Sequence, residues 1–136
     1  MYDKILVPMA LDHGISPQTL EIARKLRAPD GQIIALHVYE VPKGSVSVYI
    51  GEETVERGFN TARDLLNQKT AGMADVTPEI TRGQAHKAIT EYAVEHGFDC
   101  IVIGSHKPGL TDYLIGSTAA RVVRHAPCAV HVHRDS

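Results

Sequence analysis

One stretch of the sequence concentrates the glycines and side chains that suit an anion. Residues 104–118 have the sequence GSHKPGLTDYLIGST and follow a short apolar run, with Gly104 placed to let the backbone turn sharply off a strand. His106 and Lys107 add hydrogen-bond donors and a positive charge. The Gly-Ser-Thr at residues 116–118 puts hydroxyls and free N–H groups at a predicted helix start. The loop is therefore interpreted as a binding site for phosphate oxygens. The alternative interpretation is an ordinary strand-to-helix loop without a ligand.

Two familiar phosphate motifs do not match this loop. Gly104 and Gly109 have the spacing of a P-loop, but Leu110 stands where the P-loop lysine would reach the terminal phosphates. No GxGxxG sequence follows the first predicted strand, so a conventional dinucleotide fold is poorly supported. The loop therefore predicts anion binding without matching either motif.

The elements that position this loop alternate between strand and helix along the chain. Apolar, β-branched runs predict five strands, at residues 4–8, 32–38, 74–82, 99–104 and 128–133. Apolar residues at helical spacing predict four helices between them. The order βαβαβαβαβ predicts one α/β domain over residues 1–136, a parallel sheet with helices on both faces.

Details of this pattern make specific predictions. Residues 29–31 (Pro-Asp-Gly) predict a turn before the second strand, and Pro78 predicts that the third strand lies at a sheet edge. Gly72 is a predicted end of the second helix. The fourth helix is predicted from an apolar stripe, namely Ile115, Ala119, Val122, Val123 and Ala126.

The composition excludes several classes of protein. The chain has 136 residues, 43% of them hydrophobic, and a net charge of -2, which argues against a general nucleic-acid binder. No apolar run approaches the roughly 18 residues that span a bilayer. The start of the chain has no signal-peptide features, so we expect no membrane association and a cytoplasmic protein.

Two cysteines and two histidines could take part in chemistry, but each has a simpler interpretation. Cys100 and Cys128 are too few for a disulfide scaffold, and we expect them to act as small core residues. His131 and His133 share one face of the last strand, but no third ligand stands at motif spacing, so no metal site is predicted. An interface or solvent-facing position is the better interpretation of both histidines.

Several segments, in the same order along the chain, resemble the universal stress protein family. They are MYDKILVP at residues 1–8, RGQAH at 82–86, GSH at 104–106 followed by GS at 116–117, and APCAV at 126–130. The resemblance implies a doubly wound, Rossmann-like sheet with strand order 3-2-1-4-5. It also implies a stress-response regulatory protein that binds ATP, alone or with Mg²⁺, and contacts a protein partner that the sequence does not identify. A homodimer through residues 128–133 is implied, with a higher oligomer left open.

In the nucleotide-binding branch of this family, ATP lies over the ends of strands one and four. The resemblance therefore places adenine against Val38 and the first loop, and the ribose and phosphates along the fourth-strand loop. The expected contact residues are Pro8, Met9, Ala10, Asp12, Val38, Ile103, Gly104, Ser105, His106, Lys107, Gly109, Gly116, Ser117 and Thr118.

The chain departs from the family pattern at two positions. Lys107 stands where the family has its second glycine, and the segment to Gly116 is one residue shorter; Gly109 is a candidate replacement. Ala10 stands where the family usually has an aspartate. Either Asp12 takes that role or the contact is absent.

Two further interpretations stay open. One is a slow ATPase or an adenylyl-handling enzyme, although the sequence has no SGGxDS-like loop and no convergent acidic pair to orient a nucleophile. The other is a nucleotide-free interaction module of the same fold, favoured by Lys107 and Ala10. Binding without a catalytic residue is the main prediction, because so short a domain leaves little room for an elaborate active site.

Overall fold

The structure, a computed structural model, describes residues 1–11, 17–40, 51–105 and 115–134. These residues form a parallel sheet flanked by helices. Its strands are β1 (Tyr2–Pro8), β2 (Arg27–Tyr39), β3 (Val76–Arg82), β4 (Cys100–Gly104) and β5 (Ala129–His133). Its helices are α1 (Pro17–Leu26), α2 (Glu52–Thr70), α3 (Ala85–Glu95) and α4 (Ser117–His125). The strand order β3-β2-β1-β4-β5 confirms the order implied by the resemblance.

Two apolar cores lie on opposite faces of the sheet. Alternate residues of a strand point to opposite faces, so Ile5 packs with Leu20 of α1, whereas Leu6 packs with Ile89 of α3 and Val122 of α4. All five side chains are 2% exposed or less. Burial on both faces explains why the central strands are continuous apolar runs rather than alternating ones.

The edge position predicted for β3 is confirmed. β3 pairs with β2 along its whole length, with Pro78 opposite Ala35, and ends the sheet on that side. A proline has no N–H to donate, so it fits best where one side of the strand carries no ladder. The predicted end of the second helix is also confirmed, because α2 ends at Thr70 and Gly72 has a φ of 85°.

The turn predicted at residues 29–31 is wrong, because these residues lie inside β2. Tyr2 pairs with Arg27 and Lys4 pairs with Gln32, so the extra residues of β2 are accommodated as an irregularity between these two pairs. A Cβ atom on Gly31 would lie 2.7 Å from the Tyr2 carbonyl oxygen. Glycine therefore allows the backbones of β1 and β2 to approach closely at this point.

The apolar stripe predicted for the fourth helix is only partly correct. Ala119 and Val122 are buried in α4, but Val123 is 48% exposed, and Ile115 precedes the helix and is 39% exposed. α4 has 9 residues. Successive residues of an α-helix are rotated by about 100°, so Val123 points away from its buried neighbour Val122.

Candidate functional site

The candidate site lies where the carboxyl ends of β1 and β4 come side by side. β1 is paired with β2 on one side and with β4 on the other, with Ile5 opposite Cys100. The connections therefore leave β1 and β4 in opposite directions, which creates the crevice where open parallel sheets bind ligands. Pro8 ends β1 and Gly104 ends β4.

Hydrogen bonds to β2 hold the first residues after β1. The Met9 N–H donates to the Leu36 carbonyl oxygen at 2.8 Å, and the His37 Nδ1 donates to the Met9 carbonyl oxygen at 2.8 Å. The Met9 side chain is 7% exposed and packs in the core beneath α1, whereas Ala10 is exposed. A ligand at this edge would meet the backbone of Met9 and the small side chain of Ala10.

Sequence reasoning missed the role of His37. The available signal was its position, because His37 continues the alternation of Ile33 and Ala35 and stands where β2 comes level with the loop after β1. A polar ring at the end of an otherwise apolar alternation indicates a hydrogen-bond partner in a neighbouring loop.

Neighbouring elements pack around the end of β2. Val38 is half-buried and packs against the core beneath α3 and α4. The Tyr39 ring meets Phe59 of α2 edge-on, with centroids 5.9 Å apart. Glu40 accepts a hydrogen bond from the Ala85 N–H at 2.8 Å, which places a carboxylate at the start of α3.

Backbone hydrogen bonds close the base of the loop that follows β4. The Ser105 N–H donates to the His133 carbonyl oxygen at 2.9 Å, and the Gly116 N–H donates to the Ser105 carbonyl oxygen at 3.1 Å. Ser105 is 4% exposed, and Ile103 before it is 5% exposed. The two ends of the loop are therefore fixed to each other and to β5.

Glycine at position 116 is explained by close approach. Its φ of -60° is open to any residue, but a Cβ atom there would lie 2.9 Å from the Ser105 carbonyl oxygen. Gly104 is different, because its φ is not in the left-handed region and the nearest described atom to an added Cβ is 3.9 Å away, on Thr19. The sharp turn predicted at Gly104 is therefore not what requires glycine, and the missing side chain leaves the exposed end of β4 open.

The start of α4 presents backbone N–H groups without a side-chain cap. Gly116 is the N-cap residue and has no side chain to offer, and the first turn of α4, all of which the structure describes, carries no acidic residue. Ser117 is exposed and Thr118 is half-buried. The positive end of the helix dipole and these hydroxyls suit an anion.

Four of the expected contact residues lie outside the part of the chain that the structure describes. They are Asp12, His106, Lys107 and Gly109. The other ten lie at the carboxyl ends of β1, β2 and β4 or at the start of α4, and therefore at the same end of the parallel strands.

The two cysteines pack on opposite faces of the sheet. Cys100 belongs to the core beneath α1, and burial raises the pKa of its thiol to about 11. Cys128 packs against the other core, and burial raises the pKa of that thiol as well. Both are free thiols held in their unreactive protonated form, as the sequence predicts for core residues.

Within the described residues, no cluster of three or more histidine, cysteine or acidic side chains is arranged to hold a metal ion. His131 is exposed and His133 is half-buried on β5. Across the same described ranges, no helix is both long and apolar enough to cross a bilayer.

Comparison with known proteins identifies the family. A model of the universal stress protein family matches residues 1–134. The chain belongs to the universal stress protein family. Universal stress protein A homolog 2 of Coxiella burnetii is 30% identical over 139 residues, covering 95% of this chain and 92% of that protein.

Solved structures share the fold. The universal stress protein UspA from Lactobacillus plantarum is 26% identical, covers 98% of both chains and has a TM-score of 0.70. A universal stress protein in complex with cAMP is 21% identical over 99% of both chains, with a TM-score of 0.62. An Arabidopsis thaliana member of the family, with AMP bound, is 20% identical over 98% of this chain and 93% of that one, with a TM-score of 0.61.

Proposed function

We propose that this universal stress protein binds an adenine nucleotide at the carboxyl ends of β1 and β4. The observation that carries the proposal is the closed base of the loop after β4. The hydrogen bond from Gly116 to Ser105 holds the uncapped start of α4 beside the open end of β4 at Gly104. A phosphate group between them would meet backbone N–H groups, two hydroxyls and the positive end of a helix.

The choice of an adenine nucleotide draws support from relatives. One protein of the same fold is in complex with cAMP and another has AMP bound. Adenosine with at least one phosphate is common to both ligands. We propose ATP, alone or with Mg²⁺ on its phosphates, as the nucleotide for this chain, because His106 and Lys107 add charge to the loop.

Each part of the site would have a distinct task. Val38, Pro8 and the residues after β1 would contact the adenine, and Ala10 there offers little side-chain bulk. Ser117 and Thr118 would donate to phosphate oxygens. The nucleotide would act as a regulator by favouring one conformation of the chain, and it can do so only if it binds that conformation more tightly.

The cytoplasmic location predicted from the sequence stays a prediction.

The first test is whether nucleotide is present and whether it binds. Purified protein is denatured, and the supernatant is examined for released nucleotide by absorbance and chromatography. Nucleotide-free protein is then titrated with ATP by calorimetry. We expect released adenine nucleotide or measurable binding heat, together with a raised melting temperature in millimolar ATP. Neither heat nor protection would contradict the proposal and favour the nucleotide-free interaction module.

Variants locate the site. Gly104→Val places a branched side chain over the open end of β4 where the described structure has room for a Cβ, so we expect loss of ATP binding without loss of fold. Ser117→Ala removes one hydroxyl and should weaken binding about threefold to tenfold. Thr61→Ala, at an exposed position of α2, is the matched control and should leave the dissociation constant unchanged. Equal effects of Thr61→Ala and Ser117→Ala would contradict this placement.

A further inference from the structure

The last strand presents two histidines on the same face of the sheet. Val130 and Val132 of β5 pack against the core beneath α3 and α4. Because alternate side chains of a strand point to opposite faces, His131 and His133 point to the other face, on which α1 packs. His131 is exposed and His133 is half-buried, so a ligand can reach both rings.

The neighbouring strand adds no ligand to this pair of histidines. On β4, His131 is paired with Val102 and His133 with Gly104, neither of which has a side-chain atom that binds a metal. Cys100 of the same strand is 1% exposed and packs in the core beneath α1. Within the described ranges, no third histidine, cysteine or acidic side chain joins the pair. A typical zinc site has three or four protein ligands, so one chain alone does not complete such a site.

The other side of β5 is an open edge of the sheet. β5 is the last strand in the sheet order, and no described strand lies beyond it. The His133 carbonyl oxygen accepts a hydrogen bond from the Ser105 N–H on the β4 side. Alternate residues direct their backbone groups to opposite sides, so those of Val130 and Val132 face the open edge. An identical strand related by a two-fold axis normal to the sheet can pair with them in the antiparallel sense.

This pairing would bring four imidazoles together. When Val132 lies opposite Val132 of the second copy, His131 lies directly opposite His133 of the second copy. The Cβ atoms of such a cross-strand pair are about 4.5–5.5 Å apart, and residues two apart on one strand are separated by about 6.6 Å. A two-fold axis normal to the sheet keeps both pairs on the same face. Imidazole nitrogens at these spacings can converge on one ion, at about 2.0–2.1 Å from each.

We propose that two copies of the chain pair through β5 and hold one Zn²⁺ ion between them, with His131 and His133 of each copy as ligands. Imidazole nitrogen suits zinc, whereas magnesium and calcium prefer oxygen ligands. The ion would stabilise the pair of chains, because the single chain offers it only half of the ligands. The proposal does not depend on nucleotide binding, since neither ligand belongs to the loop after β4 or to the start of α4.

The test uses the full chain, free of nucleotide and of any histidine tag, with Zn²⁺ as the probe. Calorimetry should give one ion for two chains. In sedimentation velocity, Zn²⁺ should lower the dissociation constant of the dimer about tenfold or more relative to EDTA. Zn²⁺ should also raise the melting temperature, a readout that still works where the dimer is too tight to dissociate in EDTA.

Variants identify the ligands. His131→Gln removes two of the four imidazoles from the dimer at an exposed position, so we expect the affinity for Zn²⁺ to fall about a hundredfold or more while the melting temperature in EDTA stays the same. His125→Gln, at an exposed position at the end of α4, is the matched control. It should leave the affinity for Zn²⁺ unchanged.

Three results would overturn the proposal. They are no binding of Zn²⁺, one ion bound per chain without an effect on association, and equal losses of affinity in His131→Gln and His125→Gln. A chain that is dimeric in EDTA and binds no Zn²⁺ would exclude the ion but not the pairing through β5. A chain that stays monomeric with and without Zn²⁺ would exclude both.

Discussion

Single residues at the candidate site are constrained by close approach and by hydrogen bonding more than by backbone conformation. Gly116 and His37 illustrate both. The first allows two backbones to touch, and the second anchors the residue after β1. The motif at residues 116–118 predicted an anion site, which stays a prediction, and it did not reveal that Gly116 approaches the Ser105 carbonyl oxygen. Contacts between residues far apart in sequence cannot be deduced from local patterns.

The two site glycines should differ in how much stability they lose when replaced by alanine. Gly116→Ala forces a Cβ within 2.9 Å of the Ser105 carbonyl oxygen, so we expect a loss of about 1–2 kcal/mol in the free energy of unfolding. Gly104→Ala meets no described atom closer than 3.9 Å, and should change stability by about 0.5 kcal/mol or less. Urea denaturation of both variants measures this difference. Equal stability of the two would show that close approach does not require glycine at position 116.

At the scale of elements, periodicity predicts the strands and helices well and their irregularities poorly. The central strands were predictable because both faces are buried, which makes β1 and β4 continuous apolar runs. The early start of β2 was not predictable, because Pro-Asp-Gly is a typical turn sequence, whereas in the structure Arg27 before it already pairs with Tyr2. The apolar stripe of α4 was predicted only in part, because periodicity does not show which apolar residues stay at the surface. Ile115 and Val123 are exposed among the described residues.

Ion pairs between elements give a pH-dependent prediction. Arg24 of α1 donates to Asp75, just before β3, at 2.6 Å, and Arg27 lies 3.7 Å away. The hydrogen bond from Arg24 lowers the pKa of Asp75 below its ordinary 3.8. A carboxyl with a lowered folded-state pKa stabilises the fold above its unfolded-state pKa and loses that contribution as the pH falls through the folded-state value. The stabilisation is therefore complete at neutral pH and lost only in strong acid.

Asp75→Asn should cost about 0.5–1 kcal/mol of unfolding free energy at pH 7, because both partners are partly exposed. The difference from the unsubstituted chain should shrink as the pH falls below about 4. Chemical denaturation at a series of pH values measures it. Glu53→Gln, which removes the exposed pair with Arg57 within α2, is the control and should show little difference at any pH. A cost of Asp75→Asn that stays constant down to pH 3 would contradict this account.

At the scale of the whole molecule, the sheet has two edges that are built differently. β3 carries Pro78, which discourages pairing with another chain. β5 has no proline, and Val123 of α4, the helix that precedes β5 along the chain, is 48% exposed. These features support the proposal that two copies of the chain pair through β5, as the resemblance implies.

Backbone geometry shows how to test that proposal without damaging the sheet. The His133 carbonyl oxygen accepts from Ser105 on the β4 side, and alternate residues of a strand direct their backbone groups to opposite sides. The N–H groups of His133 and His131 therefore face β4, and those of Val130 and Val132 face outward. Val132→Pro removes an outward donor and leaves the ladder to β4 intact.

We expect the unsubstituted chain to sediment as a dimer and Val132→Pro to sediment as a monomer with unchanged circular dichroism, because proline takes away a donor that only the second copy would use. His131→Pro is the matched control. It removes an N–H that faces β4, so it should lower the melting temperature of the chain rather than affect the dimer alone. Sedimentation velocity over a range of concentrations distinguishes these outcomes. A Val132→Pro dimer as tight as that of the unsubstituted chain would exclude backbone pairing through β5 as the basis of assembly, and a monomeric unsubstituted chain would exclude the dimer itself.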